Sequence, residues 1–444
     1  MKRRSLLAGA AALAAASPRI SLAAAGKTRV VFWHAMNGAL GAELNKLIAR
    51  FNASQATAEV VPVFKGGYPE TLTAAIAAWR AHQAPHIAQI FDVGTGSMVA
   101  AGPAVTDVWK LVKDTGVAID AKNYIPSVRG YYTLADGRMA SMPFNSSTAV
   151  MWYNKDAFEK AGLDPAKPPA TWPEVVKAAE VLKSKNAAKY ACTTSWPAWV
   201  HFEQFSAVQN VPFASEADGF KGLGAKLEIN APAFVSNLQR LLDMSKAGTF
   251  KYAGRDNTPD PIFYSGQAAI TFNSSGILGD LKKSAKFKWG NAFLPYDPAV
   301  IKTPLNSIIG GASLWAMTAP HRTPAEYKAV AEFFAFLGQP AQDAEWSRTT
   351  GYVPVTFGGY NLLKSQNYYT QNPGTELPIQ QLTRGHVTEN SKGIRLGQMP
   401  QIRVIIEEEW EKALQGQQNA KQALDVAVQR GNTVLRQFER AVKG

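Results

Sequence analysis

RVVFWHAMNGALGAELNKLIARFN, residues 29–52, is the stretch on which the fold turns. Arg29–Trp33 is a β-branched and aromatic run, which predicts a strand. From Gly38 to Asn52, Leu40, Leu44, Leu47, Ile48 and Phe51 recur at helical spacing. The same alternation follows: a strand at Glu59–Phe64, an Ala-rich helix at Pro69–Gln83 with Pro in its first turn, and a strand at His86–Phe91. Strands alternating with helices predict an α/β chain with a parallel sheet covered on both faces. Ligands of such sheets bind beyond the carboxyl ends of the strands. Here those ends are Trp33–Met36, Lys65–Tyr68 and Asp92–Thr95, all polar and two of them with glycine.

Further along, Thr171-Trp172-Pro173-Glu174 and Thr323-Pro324-Ala325-Glu326 are capping boxes with Pro in the first turn. Asn230 is placed to cap a helix that runs to about Lys246. Residues from Pro400 to Val442 read as almost entirely helical, broken around Gly416–Gln418. Extended runs are expected at Thr148–Tyr153, Ala268–Asn273, Trp289–Leu294 and Ala312–Ala316.

The chain has 444 residues, enough for two or three domains, and its 46% hydrophobic content excludes a disordered chain. Its single cysteine, Cys192, excludes an intrachain disulfide framework and a cysteine-cluster metal site, and a buried thiol is the simplest reading of it. Residues 1–25 read as a signal peptide: Lys2, Arg3 and Arg4, an apolar stretch at Leu6–Ala16, and Ala23-Ala24-Ala25 before Gly26. Arg3-Arg4 fits the twin-arginine route as well as an ordinary secretory one. Cleavage is expected near Ala25, with no cysteine there to take a lipid, and the expected location is the periplasm. Removing Lys2, Arg3, Arg4 and Arg19 lowers the net charge from +13 to +9. The remaining basic residues are dispersed and carry no nucleic-acid motif, so they read as solubility and long-range attraction for small anions.

Catalytic signatures are missing. There is no His-Glu-x-x-His, no phosphate loop and no Gly-x-Gly-x-x-Gly after a strand. Gly310-Gly311-Ala312-Ser313 lacks the final glycine of a nucleophile elbow, Trp315 standing in its place. No catalytic residue, metal or cofactor is therefore expected.

Phe144-Asn145-Ser146-Ser147, Tyr153–Phe158, Ala161-Gly162-Leu163 and Pro168–Trp172 resemble the extracellular solute-binding proteins of ABC importers. Within that family, Phe32–Met36, Lys65–Tyr68, Ile309–Trp315, Thr350–Pro354 and Arg395–Arg403 resemble the branch that binds glycerol-3-phosphate. The resemblance covers essentially the whole chain after the signal. It implies the type II periplasmic-binding-protein fold, two α/β lobes joined by a multi-crossing hinge that close on ligand. By analogy, lobe 1 is 26–147 plus 288–318 and lobe 2 is 148–287 plus 319–444, with crossings at Ser147–Ala149, near Phe287 and near Ala319.

The resemblance also implies a ligand-binding set: Tyr68, Asp92, Ser147, Trp196, Ser274, Gly311, Tyr352 and Arg403. Asp92 stands where the family more usually has glutamate, one methylene longer. Arginine, hydroxyls and a glycine N–H suit a phosphate ester, and a carboxylate suits hydroxyls at the ligand's other end. Without the resemblance the same residues read as turn or packing residues, and Arg403 would pair with Glu407 at i,i+4. The implied function is reception of sn-glycerol-3-phosphate by a monomer that delivers it to a membrane permease and ATPase. A receptor for glycerophosphodiesters or oligosaccharides, or an exported glycerophosphodiester hydrolase, are the competing readings.

Overall fold

The computed structural model describes residues 26–443; the signal segment and its cleavage near Ala25 lie outside the described residues. The chain forms eleven strands among the described residues: β1 Thr28–His34, β2 Ala58–Phe64, β3 Ile87–Phe91, β4 Val105–Thr106, β5 Met142–Ser147, β6 Ala149–Asn154, β7 Tyr190–Thr194, β8 Phe250–Lys251, β9 Ala268–Ser274, β10 Trp289–Ala292 and β11 Gly310–Met317.

They make two sheets. The first has the order β2-β1-β3-β11-β4, with β5 also paired to β11. The second has the order β10-β6-β9-β7-β8. In the first, β1 runs parallel to β2 and β3, as the alternation predicts. The expected all-parallel sheet is nevertheless mixed, because β11 is antiparallel to β3, β4 and β5. β11 returns from the other sheet through residues 293–309 instead of a helical crossover, so it enters from the opposite end. β5 and β7 had no sequence prediction; both are short and buried almost throughout, and so lack an alternating pattern.

The chain leaves the first sheet at Ser147 and enters the second at Ala149. Between them, Thr148 is fully buried, and its Oγ1 donates to the Ile308 carbonyl at 2.9 Å beside Ser307 Oγ at 2.7 Å. The outgoing and returning strands are thereby tied side by side. The return does not lie near Phe287. β10 pairs with β6, so Trp289–Ala292 belongs to the second sheet and not with lobe 1, and the return falls between Ala292 and Gly310. Nor does the chain leave the first core near Ala319. The helix Pro324–Leu337 buries Phe333 and Phe336 edge-on against Phe51 at 5.1 and 5.4 Å. Its apolar side completes the core formed by Val30, Phe32 and Phe51. Each such phenylalanine removed from water contributes roughly 2–3 kcal/mol, which outweighs any loop preference for the other lobe.

Helix boundaries follow the punctuation. Thr171 and Thr323 both form complete capping boxes. Asn230 does not cap: Ala231 holds that place, and the Asn230 amide donates to Asp425 at 2.7 Å, joining Pro232–Lys246 to the C-terminal helix Ala420–Lys443. The helix Met399–Leu414 ends before Gln415 and the next begins at Ala420, close to the expected break.

Candidate ligand-binding site

A cavity of about 440 Å³ lies between the two sheets, and all eight residues of the expected set line it. Three come from carboxyl ends of the first sheet's strands or the turns after them. Tyr68 opens the helix Tyr68–Arg80, after Gly66 turns the chain at φ +90°. Its ring stacks on Phe91 at 5.5 Å. Asp92 begins a 3-10 turn directly after β3. Ser147 ends β5 opposite Gly310.

Gly311 is the position where no other residue fits. Its φ is +99°, and a Cβ there would stand 1.9 Å from the Asn145 carbonyl oxygen. From the second sheet, Ser274 ends β9 and its hydroxyl accepts the Gly276 N–H at 3.0 Å. Tyr352 follows Gly351, itself at φ +84°, and stacks on Trp346. Trp196 sits at φ +51°, a left-handed conformation that strains an aromatic residue. Its indole N–H is held by Asn257 at 2.7 Å.

Arg403, on Met399–Leu414, is the one cationic side chain lining the cavity among the described residues. It does not pair with Glu407. Its Nε donates to Glu203 Oε1 at 2.5 Å, and Nη2 to Glu203 Oε2 at 2.8 Å and Asp92 Oδ2 at 3.0 Å. Asp92 therefore braces the guanidinium as well as lining the cavity. Nη1 keeps no protein acceptor among the described residues. Burial alone would lower the Arg403 pKa, but the attraction of Glu203 and then Asp92 prevails and raises it. Burial pushes Asp92 up to about 7, opposed by Arg403 and reinforced by Glu203. Glu70, Asp256, Asp260 and Asp280 also border the cavity, so one clamped cation works in an otherwise acidic surround.

Glu203 was not in the expected set. It lies in the π-helical turn Trp199–Glu203, inside an apolar stretch, and its partner is two hundred positions away. No spacing rule reaches across that separation. Asn145 and Gln89, which support Tyr68 from behind, were likewise missed as site residues, although Asn145 lies inside the Phe144–Ser147 stretch. A larger surface groove of about 770 Å³ runs along Pro232–Lys246. Its guanidinium, Arg240, is already paired with Asp297, and none of the expected set reaches it.

Two α/β bodies joined by adjacent crossings, with a polar cavity between them, define a solute receptor. The chain belongs to the bacterial extracellular solute-binding proteins, whose family profile matches residues 46–370. It is 44% identical over 434 residues to the sn-glycerol-3-phosphate-binding periplasmic protein UgpB of Pectobacterium atrosepticum, covering 98% of this chain and 97% of that one. It is 45% identical to the protein of the same name from Rhizobium meliloti, covering 92% and 94%. Among solved structures, UgpB from Mycobacterium tuberculosis in complex with glycerophosphocholine matches at 23% identity with TM-score 0.78, covering 93% of this chain and all of that one. The GacH receptor of Streptomyces glaucescens matches at 17% identity with TM-score 0.76, covering 92% and 99%. These two likenesses concern the fold.

Proposed function

We propose that this chain is the periplasmic receptor of an ABC importer and that it binds sn-glycerol-3-phosphate between its lobes. The observation that carries the reading is the meeting of all eight expected residues in one cavity, in a chain 44% identical over nearly its full length to receptors named for that ligand. The Gly311 backbone, the Ser147 and Ser274 hydroxyls, both tyrosines and Arg403 Nη1 supply donors for a phosphoryl group. The acidic rim accepts the glycerol hydroxyls. Binding involves no covalent chemistry, and the closed form docks on the membrane permease and its ATPase as a monomer.

Lobe 1 is built on the first sheet and carries the helix Pro324–Leu337; lobe 2 is built on the second and carries Met399–Leu414. The crossings at Thr148, in 293–309 and between Leu337 and Met399 act as the hinge. Glycerophosphodiesters form the second reading, favoured by the Trp196 indole beside Glu70 and Asp256, a setting that suits a cationic head group. Calorimetry with sn-glycerol-3-phosphate, glycerophosphocholine, maltose and phosphate tests the proposal. Heat from maltose alone would sink it. Phosphate or glycerol released from either ester would replace the receptor with a hydrolase.

A further inference from the structure

Behind Tyr68 lies a chain of hydrogen bonds whose direction is forced. The Ala35 N–H donates to Gln89 Oε1 at 2.8 Å. A backbone N–H cannot accept, so Gln89 must present its oxygen to it and its amide nitrogen to the other side. That nitrogen donates to Asn145 Oδ1 at 2.8 Å. Asn145, with its oxygen occupied, donates through Nδ2 to the Tyr68 hydroxyl at 2.8 Å. Gln89 and Asn145 are both fully buried, on the two strands that flank β11. Tyr68 in turn lines the cavity.

The Tyr68 hydroxyl has one proton. With Asn145 donating to its oxygen, that proton is free to enter the cavity. With Asn145 accepting, the proton would be consumed and the hydroxyl would face the cavity as an acceptor. We propose that Gln89 and Asn145 are positioning residues that set this sense, so that the Tyr68 hydroxyl acts as a hydrogen-bond donor to the phosphoryl oxygens of the ligand. The inference rests on the phosphate-ester reading above and adds to it how the site excludes ligands that offer a donor there.

The test is Gln89→Glu, which is nearly isosteric. Protonated, the new carboxyl still donates to Asn145 and preserves the sense; ionised, it only accepts, turns the Asn145 amide round and reverses it. Affinity for sn-glycerol-3-phosphate is measured by calorimetry at about pH 5 and about pH 9.5, on either side of a buried carboxyl's titration. Tyr352 and Asp92 face Tyr68, with Arg403 beyond, and all are common to both proteins, so the ratio of variant to wild type cancels them. We expect near-equal affinities at the acid end and about a tenfold or greater loss at the alkaline end, the worth of a hydrogen bond to a charged group. That alkaline loss should vanish when Tyr68→Phe is also present. Asn145→Asp imposes the same reversal from the next link and serves if Gln89→Glu does not fold. An equal ratio at both pH values, or an alkaline loss undiminished without the Tyr68 hydroxyl, overturns the inference alone. A wild type that ignores both esters overturns the receptor reading and this inference with it.

Discussion

Arg403 is held on two sides by Glu203 and Asp92. Its clamp by Glu203 fixes the guanidinium plane, and the pair is almost completely buried. Arg403→Ala should therefore do two things. It should weaken binding of sn-glycerol-3-phosphate by about 2–5 kcal/mol, as loss of a buried charged partner does. It should also lower the melting temperature, because Glu203 and Asp92 are left as unpaired buried charges, a defect worth roughly 3–5 kcal/mol. Calorimetry and thermal melting on one preparation check both; an unchanged affinity in a folded variant removes Arg403 from the site. Asp92 gives a pH signature of its own. An unfolded aspartate titrates near the ordinary value of 3.8, whereas Asp92 is pushed up to about 7. Between those values the folded state holds the proton more firmly, so this group favours folding at the acid end and the contribution is lost as pH rises to 7. Asp92→Asn has no such proton. Its melting temperature should gain on wild type steadily from about pH 4 to 7 and then level off. A constant difference would show that Asp92 is not held in this state.

At the level of elements, the cavity floor is the antiparallel pair β5 and β11. Gly311 permits the register in which Ser147 lies opposite Gly310 and the Asn145 carbonyl passes close by. Gly311→Ala places a methyl in that carbonyl and in a backbone region hostile to L side chains. The strand must shift, with an expected cost of at least about 1–3 kcal/mol in unfolding free energy and loss of ligand binding. Denaturant titration and calorimetry measure the two effects; a variant that binds like wild type would show that the strand pair has more room than its geometry allows. The capping boxes lie at the opposite extreme. Thr323→Ala should remove about 1 kcal/mol of stability and leave affinity untouched, since Thr323 caps a helix away from the cavity. These helix starts were legible from four residues each, because every partner in a capping box is within one turn.

For the whole molecule, the chain passes between the two sheets at Thr148 and in 293–309, which are tied together there, and a third time between Pro324–Leu337 on the first core and Met399–Leu414. Under the proposed closure, rotation at these crossings would move Asp92 and Tyr68 relative to Arg403 and Ser274. Saturating sn-glycerol-3-phosphate should reduce the radius of gyration in small-angle scattering, and superimposable curves with and without ligand would refute closure. The inter-lobe ion pair between Asp92 and Arg403 adds a further expectation. Asp92→Asn weakens that link and should make the ligand-free molecule more expanded than wild type at neutral pH.

The sequence by itself determined the capping boxes, the strands β1, β2 and β3 and their parallel sense, and the resemblance it carries named the eight residues that line one cavity. Periodicity, caps and turn residues act within a few positions, and the quoted motifs lie in short contiguous stretches. Only the tertiary structure decided that β11 runs antiparallel, that β10 joins the second sheet, that Pro324–Leu337 packs on the first core, and that Glu203 rather than Glu407 holds Arg403. Each of these is a choice among partners far apart in the chain. It is settled by which distant surface buries the most apolar area or best neutralises a buried charge, and neither quantity leaves a mark in the spacing of nearby residues.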